Sequence, residues 1–240
     1  MQYIKAYPAI ANGLLTWLWA YYDMWWLSSA WETDLHNAYD LSKTGTVGSQ
    51  TGKSGNARWA FATSSDYLST SSWPTFSAVQ ATSISCRIYF PSSPSSYETF
   101  VSVGGENLND RKMEIRVDNA GHFQLNMEKN QVAWNQATRW STFSTSTWYH
   151  VVATYDWANN GKLYVDAWTA VTGVFWSSGT ASDTKIAIWW WLYGGWGWFV
   201  ANSAVHAYID EIGIRSRELS SSDASALRSS WAWLFYWSFN

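Results

Sequence analysis

The sequence predicts an all-β protein, a sandwich or barrel of short antiparallel strands. Three observations carry this. Short runs alternate apolar and polar residues with a period of two. Clusters of Gly, Ser, Asn or Asp bound each run, at the spacing expected of sandwiches and barrels. A single stretch, "SSSDASALRSS" (220–230), reads as a helical turn, with Ser220–Ser222 as candidate caps.

Taken in order, residues 1–39 form an aromatic-rich lead-in, and the alternating text begins at 40. "ATSISCRIYF" (81–90) puts Ile84, Cys86, Ile88 and Phe90 on one face. "ETFVSVGG" (98–105) follows the turn-rich "PSSPSS". "KMEIRVDNAGHFQLNM" (112–127) reads as a hairpin: Met113, Ile115 and Val117 alternate, "DNAG" turns, and Phe123, Leu125 and Met127 alternate back. "TWYHVVATYDWANNGKLYVDAW" (147–168) is a second hairpin, turning at "NNG". In "AYIDEIGIRS" (207–216), strict alternation sets Ile209, Glu211 and Gly213 against Asp210, Ile212 and Ile214. No internal repeat or linker interrupts 40–230, which is expected to be one domain with an aromatic tail at 231–240.

Composition narrows the function. The chain has 240 residues, with 15 Lys+Arg against 18 Asp+Glu, and a net charge of −3. It therefore carries no basic footprint, and neither a nucleic-acid partner nor an anionic lipid surface is expected. Charged residues make up 14% of the chain, against about 25% in ordinary domains. Ser and Thr make up the difference, giving a mostly neutral polar surface. The single cysteine, Cys86, excludes an internal disulfide and is expected in the core. Two apolar runs, 14–27 (broken by Asp23) and 186–200 (ending among Gly194, Gly195 and Gly197), are too short to span a bilayer, so no membrane insertion is expected. The N-terminus lacks the pattern of a secretory signal peptide.

"TGKSGNA" (51–57), "SSDYL" (64–68), "STWYHVVATYD" (146–156), "GKLYVD" (161–166) and "YIDEIGIRSRELSSSDASAL" (208–227) occur in a telling order and spacing. Together they resemble the laminin-G-like branch of the concanavalin A-like lectin/glucanase superfamily. The resemblance implies a two-sheet antiparallel jelly-roll sandwich over 40–230. It also implies glycan or protein binding, glycan hydrolysis in some members, and calcium in many. The chain departs from the family pattern at glycines. Trp157, Ala167 with Trp168, and Ala207 stand where Gly is usual, although tight hairpins favour the positive φ that Gly supplies.

Catalytic motifs are weak. The resemblance would place a Glu-x-Asp-x-x-Glu strand in a glucanase, but Glu32 and Asp34 are followed by Asn37. Of the four histidines, His150 lies in a strand phrase, which favours a structural role. No G-x-S-x-G elbow exists. "TGKSGN" is not a phosphate loop, because Val47 stands where the first Gly belongs. No Cys or His pair has zinc spacing.

Calcium is the one cofactor that fits. "GGENLND" (104–110) clusters Glu106, Asn109 and Asp110 as oxygen donors, and the resemblance adds Asp66 and Asp210. For contact with a sugar or a partner, the rings of "IAIWWWLYGGWGWF" (186–199) stand out. Alternation turns Trp190 inward and Trp189 and Trp191 outward, while Tyr193, Trp196 and Trp198 belong to a loop. The head "LLTWLWAYYDMWWL" (14–27) and the tail "WAWLFYWSF" (231–239), with Trp233 and Trp237, extend the aromatic surface. Three such surfaces exceed one sugar site and point to subunit interfaces.

The expected function is therefore non-catalytic: an interaction protein of a larger assembly, such as a phage decoration, tail or fibre protein. It would sit at a virion or other extracellular surface and contact protein subunits, as a homo-oligomer or with capsid or tail proteins. A carbohydrate-binding module that stacks sugars on Trp is the alternative. A glycoside hydrolase ranks third.

Overall fold

The structure is a computed structural model. It describes residues 18–22, 24, 31–32, 39–53, 55–59, 66–70, 81–94, 97–105, 112–128, 135–138, 141–156, 158, 160–175, 184–188 and 207–229. In chain order, the strands among them are β1 (Leu18–Tyr22), β2 (Trp31–Glu32), β3 (Leu41–Thr44), β4 (Gly48–Thr51), β5 (Asn56–Trp59), β6 (Tyr67–Ser69), β7 (Thr82–Tyr89), β8 (Glu98–Gly105), β9 (Lys112–Val117), β10 (Phe123–Glu128), β11 (Asn135–Thr138), β12 (Trp148–Tyr155), β13 (Asn160–Val165), β14 (Val171–Val174), β15 (Thr184–Ile188) and β16 (Tyr208–Arg215). One helix, α1 (Ser221–Ser229), follows them.

The strands form two antiparallel sheets, as the all-β prediction requires. The first runs β14-β13-β12-β7-β16-β5-β4, with β1 also pairing β16. The second runs β11-β10-β9-β8-β15-β6-β3-β2. Both predicted hairpins form: β9 and β10 pair Val117 with Phe123, and β12 and β13 pair Tyr155 with Gly161, although the second turns earlier than "NNG", since Asn160 and Gly161 already belong to β13. The predicted inward residues Ile84, Cys86, Ile88 and Phe90 are all fully buried, as are Met113, Ile115 and Val117 from the second sheet. Burial also pushes the Cys86 thiol far above its ordinary value, so it behaves as a core residue. Two strands of the lead-in region join the sheets, β1 beside β16 and β2 beside β3.

A smaller apolar cluster lies on the outer face of the first sheet. There α1 packs Ala224 and Leu227 against Leu18, Tyr21, Val152, Tyr164 and Leu219. The predicted cap is present: the Asp223 N–H donates to Ser220 Oγ at 3.2 Å, and the Ser220 N–H donates to Asp223 Oδ2 at 2.9 Å. Arg217 grips the same carboxylate at 2.9 and 3.0 Å.

Two backbone features depart from simple strand text. At the end of β13, Asp166 (φ 52°) and Ala167 (φ 59°) are both left-handed, and the Trp168 N–H closes the turn on Val165 O at 3.1 Å. This is the two-residue turn for which glycine is preferred. Ala167→Gly is therefore expected to stabilise the fold by about 0.5–1 kcal/mol, because it relieves a left-handed penalty of ~1–2 kcal/mol at some cost in chain entropy. A thermal melt should show a rise of about 2 °C.

The second feature is a bulge in β16. Its register against β7 shifts between Asp210 and Gly213, and Glu211 has φ 49°. The extra residue resets the alternation. Ile209, Ile212 and Ile214 thus all enter the core, where strict alternation would have set Ile209 against the other two.

Candidate functional site

The outer face of the first sheet carries the arrangement with the most chemistry. Since Ile84, Cys86 and Ile88 face the core, Arg87 and Tyr89 of β7 face outward. Register then builds two rows across the strands. Trp148 of β12 pairs with Tyr89, and Tyr89 pairs with Tyr208 of β16. Ile209 pairs with Arg58, so Trp59 of β5 falls beside Tyr208. The result is a line of four rings, Trp59–Tyr208–Tyr89–Trp148, with centroid separations of 5.9, 5.1 and 5.5 Å. Tyr89 and Tyr208 stack at 15°, whereas Trp59 stands at 81° to Tyr208. Trp59 is 41% exposed, and the other three residues are half-buried.

The polar groups of the row divide cleanly. Trp59 Nε1 donates to Ser49 O at 3.1 Å, which fixes the indole over the neighbouring strand. No protein group bonds the hydroxyls of Tyr89 and Tyr208 or the indole N–H of Trp148 among the described residues.

Beneath it, Asp210, Arg87 and His150 form the second row. Asp210 is fully buried. Its Oδ2 accepts from the Lys53 N–H and its Oδ1 from the Glu211 N–H, both at 2.8 Å. It thereby ties the "TGKSG" turn between β4 and β5 to the bulge in β16. Gly52 fits here because a Cβ would lie 2.6 Å from Asp210 Oδ2. Arg87 forms an ion pair with Glu211 through Nε and donates from Nη2 to Arg228 O at 3.2 Å.

His150 is buried, and its Nδ1 has no hydrogen-bond partner among the described residues. Its backbone is locked to Asp166 by two hydrogen bonds, N–H to Oδ1 at 3.0 Å and the returning Asp166 N–H to His150 O at 2.7 Å. Burial, and then repulsion from Arg87, Arg215 and Arg228, push the imidazole down to about 3. It stays neutral through the physiological range, which fits a structural role. In acid the unfolded chain takes up a proton that the folded chain refuses. Stability should therefore fall as pH drops from about 6.5 towards 3, with a His150 contribution of up to ~1.4 kcal/mol per pH unit. Denaturant titrations across that window should show a shallower slope for His150→Gln than for the parent chain.

The outer face of the second sheet is different. Ser102, Glu114 and Asn126 stand side by side on β8, β9 and β10, all fully buried. Ser102 Oγ donates to Glu114 Oε1 at 3.1 Å and Asn126 Nδ2 to Glu114 Oε2 at 3.0 Å. Glu114 is thus flanked across the strands by two neutral side chains.

The sequence-predicted sites fare unevenly. Trp189, Trp191, Tyr193, Trp196, Trp198, Trp233 and Trp237 lie outside the described residues, as do Glu106, Asn109 and Asp110. Asp66 and Asp210 are described, one ahead of β6 in the second sheet and the other in β16 of the first. Asp66 Oδ1 accepts from the Thr46 N–H at 2.6 Å and from Thr46 Oγ1 at 3.1 Å. Both acids therefore serve as turn anchors, and no group of three or more His, Cys, Asp or Glu suited to a metal occurs among the described residues. Trp59, Tyr89, Trp148 and Tyr208 went unmarked in the sequence. Their signal was a large ring on the outward phase of an otherwise alternating strand.

A family model for the laminin-G type, described as the Concanavalin A-like lectin/glucanases superfamily, matches residues 62–225. The chain belongs to this superfamily. Comparison with curated protein sequences gives no match. Among solved structures, the laminin-G-type sandwich resembles the binding domain of Paraclostridial Mosquitocidal Protein 1, with TM-score 0.68, 15% identity, and coverage of 90% of this chain and 52% of that one. It resembles the botulinum neurotoxin serotype D ligand-binding domain, solved with N-acetylneuraminic acid, at TM-score 0.67 and 14% identity, covering 92% of this chain and 52% of that one. It also resembles domain 4 of AbnA, an extracellular arabinanase of Geobacillus stearothermophilus, solved with arabinotriose. There the TM-score is 0.64 at 17% identity, with 88% of this chain and 98% of that one covered. The chain spans about half the length of the toxin domains. At these identities the likeness speaks for the fold.

Proposed function

We propose that this chain is a non-catalytic, lectin-like binding module that holds a glycan against the outer face of the first sheet. The observation that carries the proposal is the ring row Trp59–Tyr208–Tyr89–Trp148, exposed at Trp59 and half-buried along the rest, in which the hydroxyls of Tyr208 and Tyr89 and the indole N–H of Trp148 bond no protein group among the described residues. Rings with an apolar face and a polar edge suit ligands that have both characters. Superfamily membership and the sugars held by two of the similar structures support the reading. Support for a non-catalytic role comes from Glu114, whose oxygens are occupied by Ser102 and Asn126. A retaining glycosidase needs two carboxyl groups about 5–5.5 Å apart.

The assembly reading, with a virion or other extracellular location, ranks second. It drew on the head and tail aromatics, but Leu18, Ala20, Tyr21, Tyr22 and Met24 of the head are buried within this chain itself. Those side chains are not available to a partner. Light scattering combined with a glycan array tests the choice. The proposal expects a monomer that binds glycans; a discrete oligomer that binds none would favour the assembly reading. Calcium enters the proposal only through Glu106, Asn109 and Asp110, and a melting temperature unmoved by excess chelator would remove it.

A further inference from the structure

We infer that the aromatic row takes a neutral, linear glycan laid across the strands, with Trp59 as a stacking subsite and Tyr208, Tyr89 and Trp148 as hydrogen-bonding subsites. The inference rests on the glycan-binding reading above and narrows it to one ligand class.

The shape of the site supports a chain. The four rings belong to four adjacent strands and follow one line at near-equal spacing. A footprint of this form, about three strand spacings or ~14 Å long, is wider than a single sugar needs. A terminal monosaccharide would meet only one or two of the rings.

Hydrogen bonding divides the labour along the row. Trp59 has spent its N–H on Ser49 O, so what remains for a ligand is its exposed ring surface. Tyr89 and Tyr208 close their faces on each other, at 5.1 Å and 15°. Their hydroxyls remain to serve as both donor and acceptor, which matches sugar hydroxyls. Trp148 offers a donor in its indole N–H.

Charge decides the ligand class. A carboxylated or sulfated sugar calls for a cation beside the rings. Arg87, the cation in the row beneath, is paired with Glu211 and bonded to Arg228 O. Asp210 is occupied by two backbone N–H groups. His150, next in that row, is neutral at ordinary pH. The row beneath the rings thus presents matched or neutral groups.

The test is calorimetric titration of the intact chain with linear neutral series (arabino-, xylo- and cello-oligosaccharides, from monosaccharide to hexasaccharide) and with sialyllactose. In at least one neutral series, affinity should rise about tenfold or more from mono- to tetrasaccharide. Trp59→Ala should cut the tetrasaccharide affinity about tenfold, and the double change Tyr89→Phe with Tyr208→Phe by about threefold or more. The Phe variants keep the rings and remove only the hydroxyls, so their melting temperature should match that of the parent chain. Preference for sialyllactose, or equal affinity for mono- and tetrasaccharide, would overturn the inference while leaving glycan binding in place. No binding to any of these sugars or to a broad glycan array would overturn both.

Discussion

Phe90→Ala is expected to destabilise the fold by about 3–5 kcal/mol. Phe90 is fully buried where β7 leaves its sheet, and it touches three other rings. It stacks on Phe143 at 3.8 Å and 14°, and meets Phe100 at 5.5 Å and Phe123 at 5.8 Å, both edge-on. Phe100 and Phe123 belong to β8 and β10 of the second sheet, so these contacts bridge the two layers. Truncation removes the transfer energy of the ring and opens a cavity between sheets that cannot easily collapse. Denaturant unfolding measures the loss, and Phe90→Leu should recover more than half of it. A cost below ~1 kcal/mol would show that the rings are not packed as described.

Asp210→Ala is the second large effect, about 3 kcal/mol, because a buried carboxylate that accepts two backbone hydrogen bonds is replaced by nothing. The loss should also be local. Asp210 joins the 51–55 turn to the strained Glu211, so hydrogen exchange should quicken at Lys53 and Glu211 before it does at β7 or β12. Tyr208 and Trp59 flank this anchor, so loosening it should weaken the proposed glycan binding as well. Asp210→Asn keeps one acceptor and the side-chain volume, and should restore about half of the stability. Unchanged exchange at Lys53 would show that the turn stands without the carboxylate.

Much of the fold could be read from the sequence where one face of a strand is buried and the other is not. Ile84, Cys86, Ile88 and Phe90 alternate because β7 lies between a core and an outer surface, and a one-residue slip would turn all four outward. The two hairpins and the helix cap were legible because their turn chemistry is local. The bulge at Glu211 was not, because nothing in "YIDEIGI" marks where the alternation resets. The aromatic row was hidden for a different reason. Residues 59, 89, 148 and 208 meet only through the order β5-β16-β7-β12, which is set by long-range pairing. Local patterning drew attention instead to the dense run 186–199. Of that run the structure describes only Ile186–Ile188, with Ile186 and Ile188 in the core.

The glycine departures also acquired a physical meaning. The family prefers Gly after "LYVD", and the chain adopts left-handed φ there with Asp166 and Ala167. The backbone thus keeps the turn even though the residue that favours it is missing.

The central claim is that a glycan lies on the outer face of the first sheet. A crystal structure of the chain with the tightest-binding neutral oligosaccharide tests this most directly. The account predicts sugar rings along Trp59, Tyr208, Tyr89 and Trp148, with one ring stacked on the Trp59 indole and ligand hydroxyls within hydrogen-bond distance of Tyr89 Oη and Tyr208 Oη. Sugar bound elsewhere, with the Trp59 row left in solvent, would contradict it.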